Sequence, residues 1–211
     1  MRGFRAAFQQ HSLVVVRSAL TTDTKLWLLR AITFQRNGGP IQFNRWQTST
    51  ENPEILALHN QTLSFYQAII GADFFKTYGF AMDYRQGARL LPHLDLVSNE
   101  VSSTVVYNCT GVYPIYVSKG FTPNHYNQRF TINAPPTDGH HTADLGDGDL
   151  VVFNGRNHFH WRDRLDRGSI RAVLLHYQRT VPNSKQYELL TSQSVPAANS
   201  ISSALYGKRH G

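Results

Sequence analysis

Apolar and polar positions alternate in two different ways along this chain. In "TTDTKLWLLRAITFQ" (residues 21–35), apolar residues recur at helical spacing behind a pair of threonine caps, which predicts a helix. The Asn37-Gly38-Gly39-Pro40 run breaks it. "PEILALHNQTLSFYQAIIG" (53–71) predicts a second helix, with Pro53 in the first turn and Gly71 as the stop. Ahead of both, residues 12–17 read as a strand. From about residue 74 short β-branched and aromatic runs alternate with Gly, Pro, Asn and Asp turns. The runs are "YGFAMDY", "ARLLPHLD", "SSTVVYN", "YPIYVSK", "QRFTINA", "DLVVFNG", "HFHWR" and "SIRAVLLHYQR". Strands at this density predict an antiparallel sandwich or barrel.

The expected architecture is therefore mainly β with flanking N-terminal helices. One domain spans about 1–190, with helical support over 1–73 and a β core over 74–180. The small, polar stretch 191–211 reads as a loose tail.

Composition narrows the chemistry. The chain has 211 residues, 41% of them hydrophobic and 17% charged, enough apolar material for a sizeable core. The single cysteine, Cys109, excludes an internal disulfide framework and thiolate-rich metal sites. A metal here has to be held by histidine and carboxylate, and a reducing, cytoplasmic setting is the expectation. Nothing reads as a secretory signal or a membrane span. The net charge of +7 admits an acidic partner, but the basic residues are spread along the chain. Nucleic acid therefore ranks below a small-molecule substrate.

The "LLPHLDLVSNE" stretch (90–100) places His93 and Asp95 at i and i+2, on one face of a strand. An imidazole and a carboxylate supply two of the three ligands of a facial triad for a metal such as Fe(II). Further on, "GDLVVFNGRNHFHWRDRLDRGSIRAVLLHY" carries His158 and His160, then Arg171 in an apolar strand. "TDGHHTADLGDGD" (137–149) gathers two histidines and four aspartates, but it lacks calcium-loop spacing and reads as a solvated turn region.

In order and spacing these residues resemble the Fe(II)- and 2-oxoglutarate-dependent dioxygenases, which are built on a double-stranded β-helix, or jelly roll. His93 and Asp95 match the first element, His160 lies 65 positions after Asp95, and Arg171 lies eleven beyond His160. The resemblance spans about 78–178. It implies Fe(II) on His93, Asp95 and His160, with 2-oxoglutarate and O2 as cosubstrates and Arg171 on the distal carboxylate of 2-oxoglutarate. His158 is the competing distal ligand, and a lone arginine such as Arg171 could instead pair with a carboxylate at the sandwich rim. Tyr107 and Tyr84 are candidates to line the cosubstrate site. The implied activity is hydroxylation of an unactivated C–H bond in a small molecule, an amino acid or natural-product intermediate, with release of succinate and CO2. The carboxylate at Asp95 argues against a halogenase, in which a small residue frees a site for chloride. Peptidyl and nucleic-acid-base substrates are the alternatives within the family. A non-catalytic jelly-roll module binding sugar or protein is the alternative outside it.

Overall fold

The structure is a computed structural model, and it describes residues 2–34, 45–111, 113–124 and 129–179. The expected helix end at residue 35, the Asn37–Pro40 breaker and the tail over 191–211 lie outside the described residues.

Three helices and eleven strands are formed among the described residues. The helices are α1 (Arg2–His11), α2 (Thr22–Ala31) and α3 (Pro53–Ile70). The strands in chain order are β1 (Leu13–Val16), β2 (Arg45–Gln47), β3 (Phe75–Arg85), β4 (Leu90–Leu94), β5 (Val101–Cys109) and β6 (Ile115–Ser118). They continue with β7 (Phe130–Thr131), β8 (His140–Ala143), β9 (Leu150–Phe153), β10 (His160–Arg162) and β11 (Ser169–Gln178).

Local chemistry explains the helix ends. The Thr21 side chain accepts from the Thr24 amide at 3.2 Å, capping α2. Asn52 accepts from the Ile55 amide at 3.1 Å, with Pro53 in the first turn of α3. Gly71 ends α3 at φ 135°, and a Cβ there would meet Asp73 Oδ1 at 2.6 Å. Helix α1 was not anticipated. Its Phe4, Ala7 and Phe8 lean on the core from one side, the minimum for a helix that contributes no fully buried residue.

The strands form two antiparallel sheets, in the orders β1-β9-β5-β11-β3-β2 and β7-β4-β10-β6-β8. This is the antiparallel sandwich expected from the strand pattern, in the jelly-roll form that the resemblance implies. The larger sheet is a wall buried on both faces. On β11, Ile170 and Ala172 face the smaller sheet with Met82, Val106, Ile115 and Phe153. Val173, Leu175 and Tyr177 face the helices, with Leu28, Leu58, Phe65 and Ile69. Burial on both sides is why β9 (LVVF) and much of β5 are apolar without a gap. The smaller sheet has one open face, and β8 (HHTA) at its edge is mostly polar, which is why it read as a turn. Nearby, Asp147 meets Lys25 at 2.5 Å and Asp149 meets Arg17 at 2.6 Å. The aspartates of "TDGHHTADLGDGD" thus tie the loop to β1 and α2. No helix among the described residues is long and apolar enough to cross a membrane.

Candidate active site

Between the sheets lies a cavity of about 370 Å³. The pairing of β10 with β4 sets His160 directly opposite His93, and their ring centroids are 4.1 Å apart. Asp95 follows just beyond β4, its carboxylate 3.5 Å from Nε2 of each histidine. The three ligand atoms lie within 4.8 Å of one another. Leu94 points away into the core, as the alternation of a strand requires.

Hydrogen bonds around these groups aim them. A carbonyl can only accept, so His93 Nδ1 donates to Leu91 O at 2.8 Å and His160 Nδ1 donates to His158 O at 3.2 Å. Both rings thereby turn Nε2 toward Asp95. Ser102 donates to Asp95 Oδ2 at 2.6 Å, the Asp95 amide donates to Gly155 O, and Asn124 donates to Asp95 O. A Cβ on Gly155 would meet Asp95 Oδ2 at 2.4 Å, so only glycine leaves the carboxylate its place.

Burial, followed by repulsion from His160, pushes the His93 imidazole down to about 3, so it is neutral at pH 7. Burial opposes ionisation of Asp95, but His160 and the close contacts with both imidazoles outweigh it. The carboxyl is held well below the usual carboxylate range. Two lone pairs and one carboxylate thus converge on one point, a donor set that suits a borderline divalent metal. A cation already answers that demand: the Arg129 guanidinium donates to His93 Nε2.

His158 does not join the cluster. Its Nδ1 is spent on Ser118 O at 3.0 Å and its ring packs near Phe121, which leaves His160 as the distal member of the triad.

The larger departure concerns the cosubstrate arginine. Arg171 lies on the far face of the wall, outside the cavity lining, with its Nε 3.5 Å from Asp83 Oδ2 and its guanidinium over Phe34. Tyr107 faces the same side, packed with Val105 and Val173. Both expectations are corrected by alternation on the strand: Ile170 and Ala172 take the inward positions of β11, and Arg171 between them turns outward. Tyr84 does line the cavity.

Among the arginines that line the cavity, Arg162 is the one placed on β10 beside the histidine cluster. It stands two residues past His160 on β10, on the cavity side, and is 2% exposed. Its Nη1 donates to Tyr113 O, while Nε and Nη2 have no partner among the described residues. The rings of Tyr113 and Tyr84 flank it at 4.9 and 5.4 Å. A buried guanidinium with idle donors facing a cavity is built for a carboxylate. The i, i+2 spacing from His160 in "HWR" was the signal that could have found it.

No family model and no curated protein matches the sequence. Solved structures do match the fold. HygX from Streptomyces hygroscopicus, with nickel and 2-oxoglutarate bound, superposes at TM-score 0.62 with 12% identity, over 84% of this chain and 86% of that one. An oxidoreductase of the 2OG-Fe(II) oxygenase family from Burkholderia pseudomallei superposes at 0.61 with 12% identity, over 85% and 90% of the two chains. The non-haem α-ketoglutarate-dependent epimerase SnoN from nogalamycin biosynthesis superposes at 0.58 with 14% identity, over 93% and 90%. The fold is that of the 2-oxoglutarate- and Fe(II)-dependent oxygenases.

Proposed function

We propose that this protein is a 2-oxoglutarate- and Fe(II)-dependent oxygenase that hydroxylates a C–H bond of a small molecule. The observation that carries the reading is one cavity lined both by the His93–Asp95–His160 cluster and by the buried Arg162, whose Nε and Nη2 lack partners among the described residues. The donor set fits Fe(II), and the idle Arg162 donors fit a second carboxylate, two features that 2-oxoglutarate brings together. A second HygX structure, with nickel, 2-oxoglutarate and hygromycin B bound, supports a small-molecule substrate.

Bound Fe(II), with 2-oxoglutarate and O2, supplies the oxidising power and releases succinate and CO2. The chain does the rest. His93 and His160 offer Nε2 atoms aimed by their Nδ1 bonds, and Asp95 offers a carboxylate held by Ser102. Three protein ligands leave positions open for cosubstrate and O2. Arg162 receives the distal carboxylate and fixes the cosubstrate's direction, replacing Arg171 in that role. Met82, Leu90, Ile115, Phe153 and Leu174 keep water from the reacting centre.

Anaerobic titration with Fe(II) and 2-oxoglutarate tests this. The wild type is expected to develop a weak visible charge-transfer band that Asp95→Ala abolishes. A substrate screen read by succinate release then identifies what is oxidised. A wild type giving neither band nor succinate would return the chain to the non-catalytic jelly-roll reading.

A further inference from the structure

The oxygenase reading leaves one charge in the cavity unaccounted for. Among the described lining residues the permanently charged side chains are Arg45, Arg129, Arg162 and Asp95. Arg45 is already engaged by neighbouring groups. The oxygenase reading assigns Asp95 to the metal and Arg162 to the cosubstrate. Arg129 remains.

Its placement is as informative as its charge. Arg129 directly precedes β7, whose pairing sets Thr131 opposite His93, so the side chain reaches in beside the ligand strand. The residue is exposed at its base, while its guanidinium hydrogen-bonds His93 Nε2. No carboxylate forms a salt bridge with it among the described residues. The Nε2 lone pair serves one partner at a time, a metal or a guanidinium donor. A metal on His93 therefore frees Arg129 at the open side of the centre, on a long stem anchored at the rim.

The wall nearby is neutral. Tyr78, Phe80 and His176 pack ring against ring, with centroids 4.7 Å apart for Tyr78–His176 and 5.6 Å for Phe80–His176. Asn99 donates to the Tyr78 hydroxyl at 2.8 Å. That wall carries no formal charge to compete with Arg129 for an anionic group. We propose that Arg129 is the substrate-recognition residue of this site, released from His93 by the metal and binding an anionic group, carboxylate or phosphate in type, on the substrate. The proposal rests on the oxygenase reading.

Co(II) is the metal probe, followed by its visible absorption, and acetate and methylphosphonate are the anion probes, followed by calorimetry on protein loaded with Co(II) and 2-oxoglutarate. Arg129→Gln is expected to bind Co(II) about tenfold tighter, since a charge-assisted hydrogen bond no longer competes. The same variant should bind the favoured anion about tenfold more weakly, and Arg129→Lys should recover part of that binding. Wild type is expected to bind anion more tightly with Co(II) than without, as linkage requires. A preference for acetate or for methylphosphonate assigns the group as carboxylate or phosphate. Co(II) affinity unchanged in Arg129→Gln overturns the release, and anion binding that is absent in wild type or unchanged in the variant overturns the recognition. Failure of wild type to bind Co(II) at all would instead remove the oxygenase reading, and Arg129's role with it.

Discussion

The two faces of the larger sheet treat polar groups in opposite ways. On the helix face, polar side chains meet one another or stay locked in packing. Tyr66 pairs with Ser103 at 2.7 Å, Arg171 meets Asp83, and His59 lies edge-on to Tyr177 with neither nitrogen bonded. Toward the cavity, polar groups are oriented through one atom and turn another toward the shared space, where His93 Nε2 meets the Arg129 side chain. His93 and His160 each bond through Nδ1 alone to the protein backbone, and Arg162 bonds through Nη1 while Nε and Nη2 wait. A function-bearing face differs from a supporting one in which atoms are left over, more than in how polar it is.

The arginine pair offers the strongest way to break this contrast. Arg162→Ala is expected to weaken 2-oxoglutarate binding about 100-fold in calorimetry, the scale for truncating one partner of a buried charge pair. Arg171→Ala should leave that affinity unchanged within about twofold and lower only thermal stability. The reverse result would exchange the roles of the two faces. Next in size, Gly155→Ala forces the Asp95 carboxylate aside and is expected to cost about tenfold or more in metal affinity, the range seen when a ligand's support is lost. A circular-dichroism melt close to wild type would show that the effect is local.

On the helix face, His59→Leu removes two buried nitrogens that lack partners. Its melting temperature should equal or exceed that of wild type, with cosubstrate affinity unchanged. A fall of several degrees would mean that the imidazole has a role on that face.

The smallest effect concerns the anchor of the helix layer. Asp149 accepts from the Ser18 and Gly146 amides and from Arg17, and these bonds outweigh its partial burial and hold its carboxyl below the ordinary range. A depressed folded-state pKa gives stability that is present above about pH 4 and lost as pH falls further through the folded value. Asp149→Asn should flatten the dependence of melting temperature on pH below about pH 4.

The triad was legible because its signal is local. His93 and Asp95 are two apart on a strand, and the spacing to His160 recruits a strand that pairs alongside. The threonine cap at Thr21, Pro53 in a first turn and the stop at Gly71 likewise announced their helices. Arg171 misled because β11 is apolar on both faces, so alternation in "SIRAVLLHYQR" does not reveal which parity faces inward. Only the packing of Ile170 and Ala172 against the smaller sheet decides it. Arg162 was the opposite case, since its parity with His160 was readable and its setting in an arginine-rich run disguised it. Strand β2 and the exposed edge β8 lack strong periodicity, whereas helix α1 carries Phe4, Ala7 and Phe8 at helical spacing, a signal that was there to be read.

The cross-strand pairing of His93 with His160 has a thermodynamic consequence. It joins β4 to β10, a strand of three residues, across a long sequence separation. An ion on both imidazoles and Asp95 would act as a clasp available only to the folded chain. Every ligand that tightens the clasp then stabilises the folded chain by mass action, by about 2.7 kcal/mol at a concentration 100 times its dissociation constant, and so raises the melting temperature. Melting curves of the metal- and cosubstrate-loaded protein can thus rank candidate substrates before any turnover is observed.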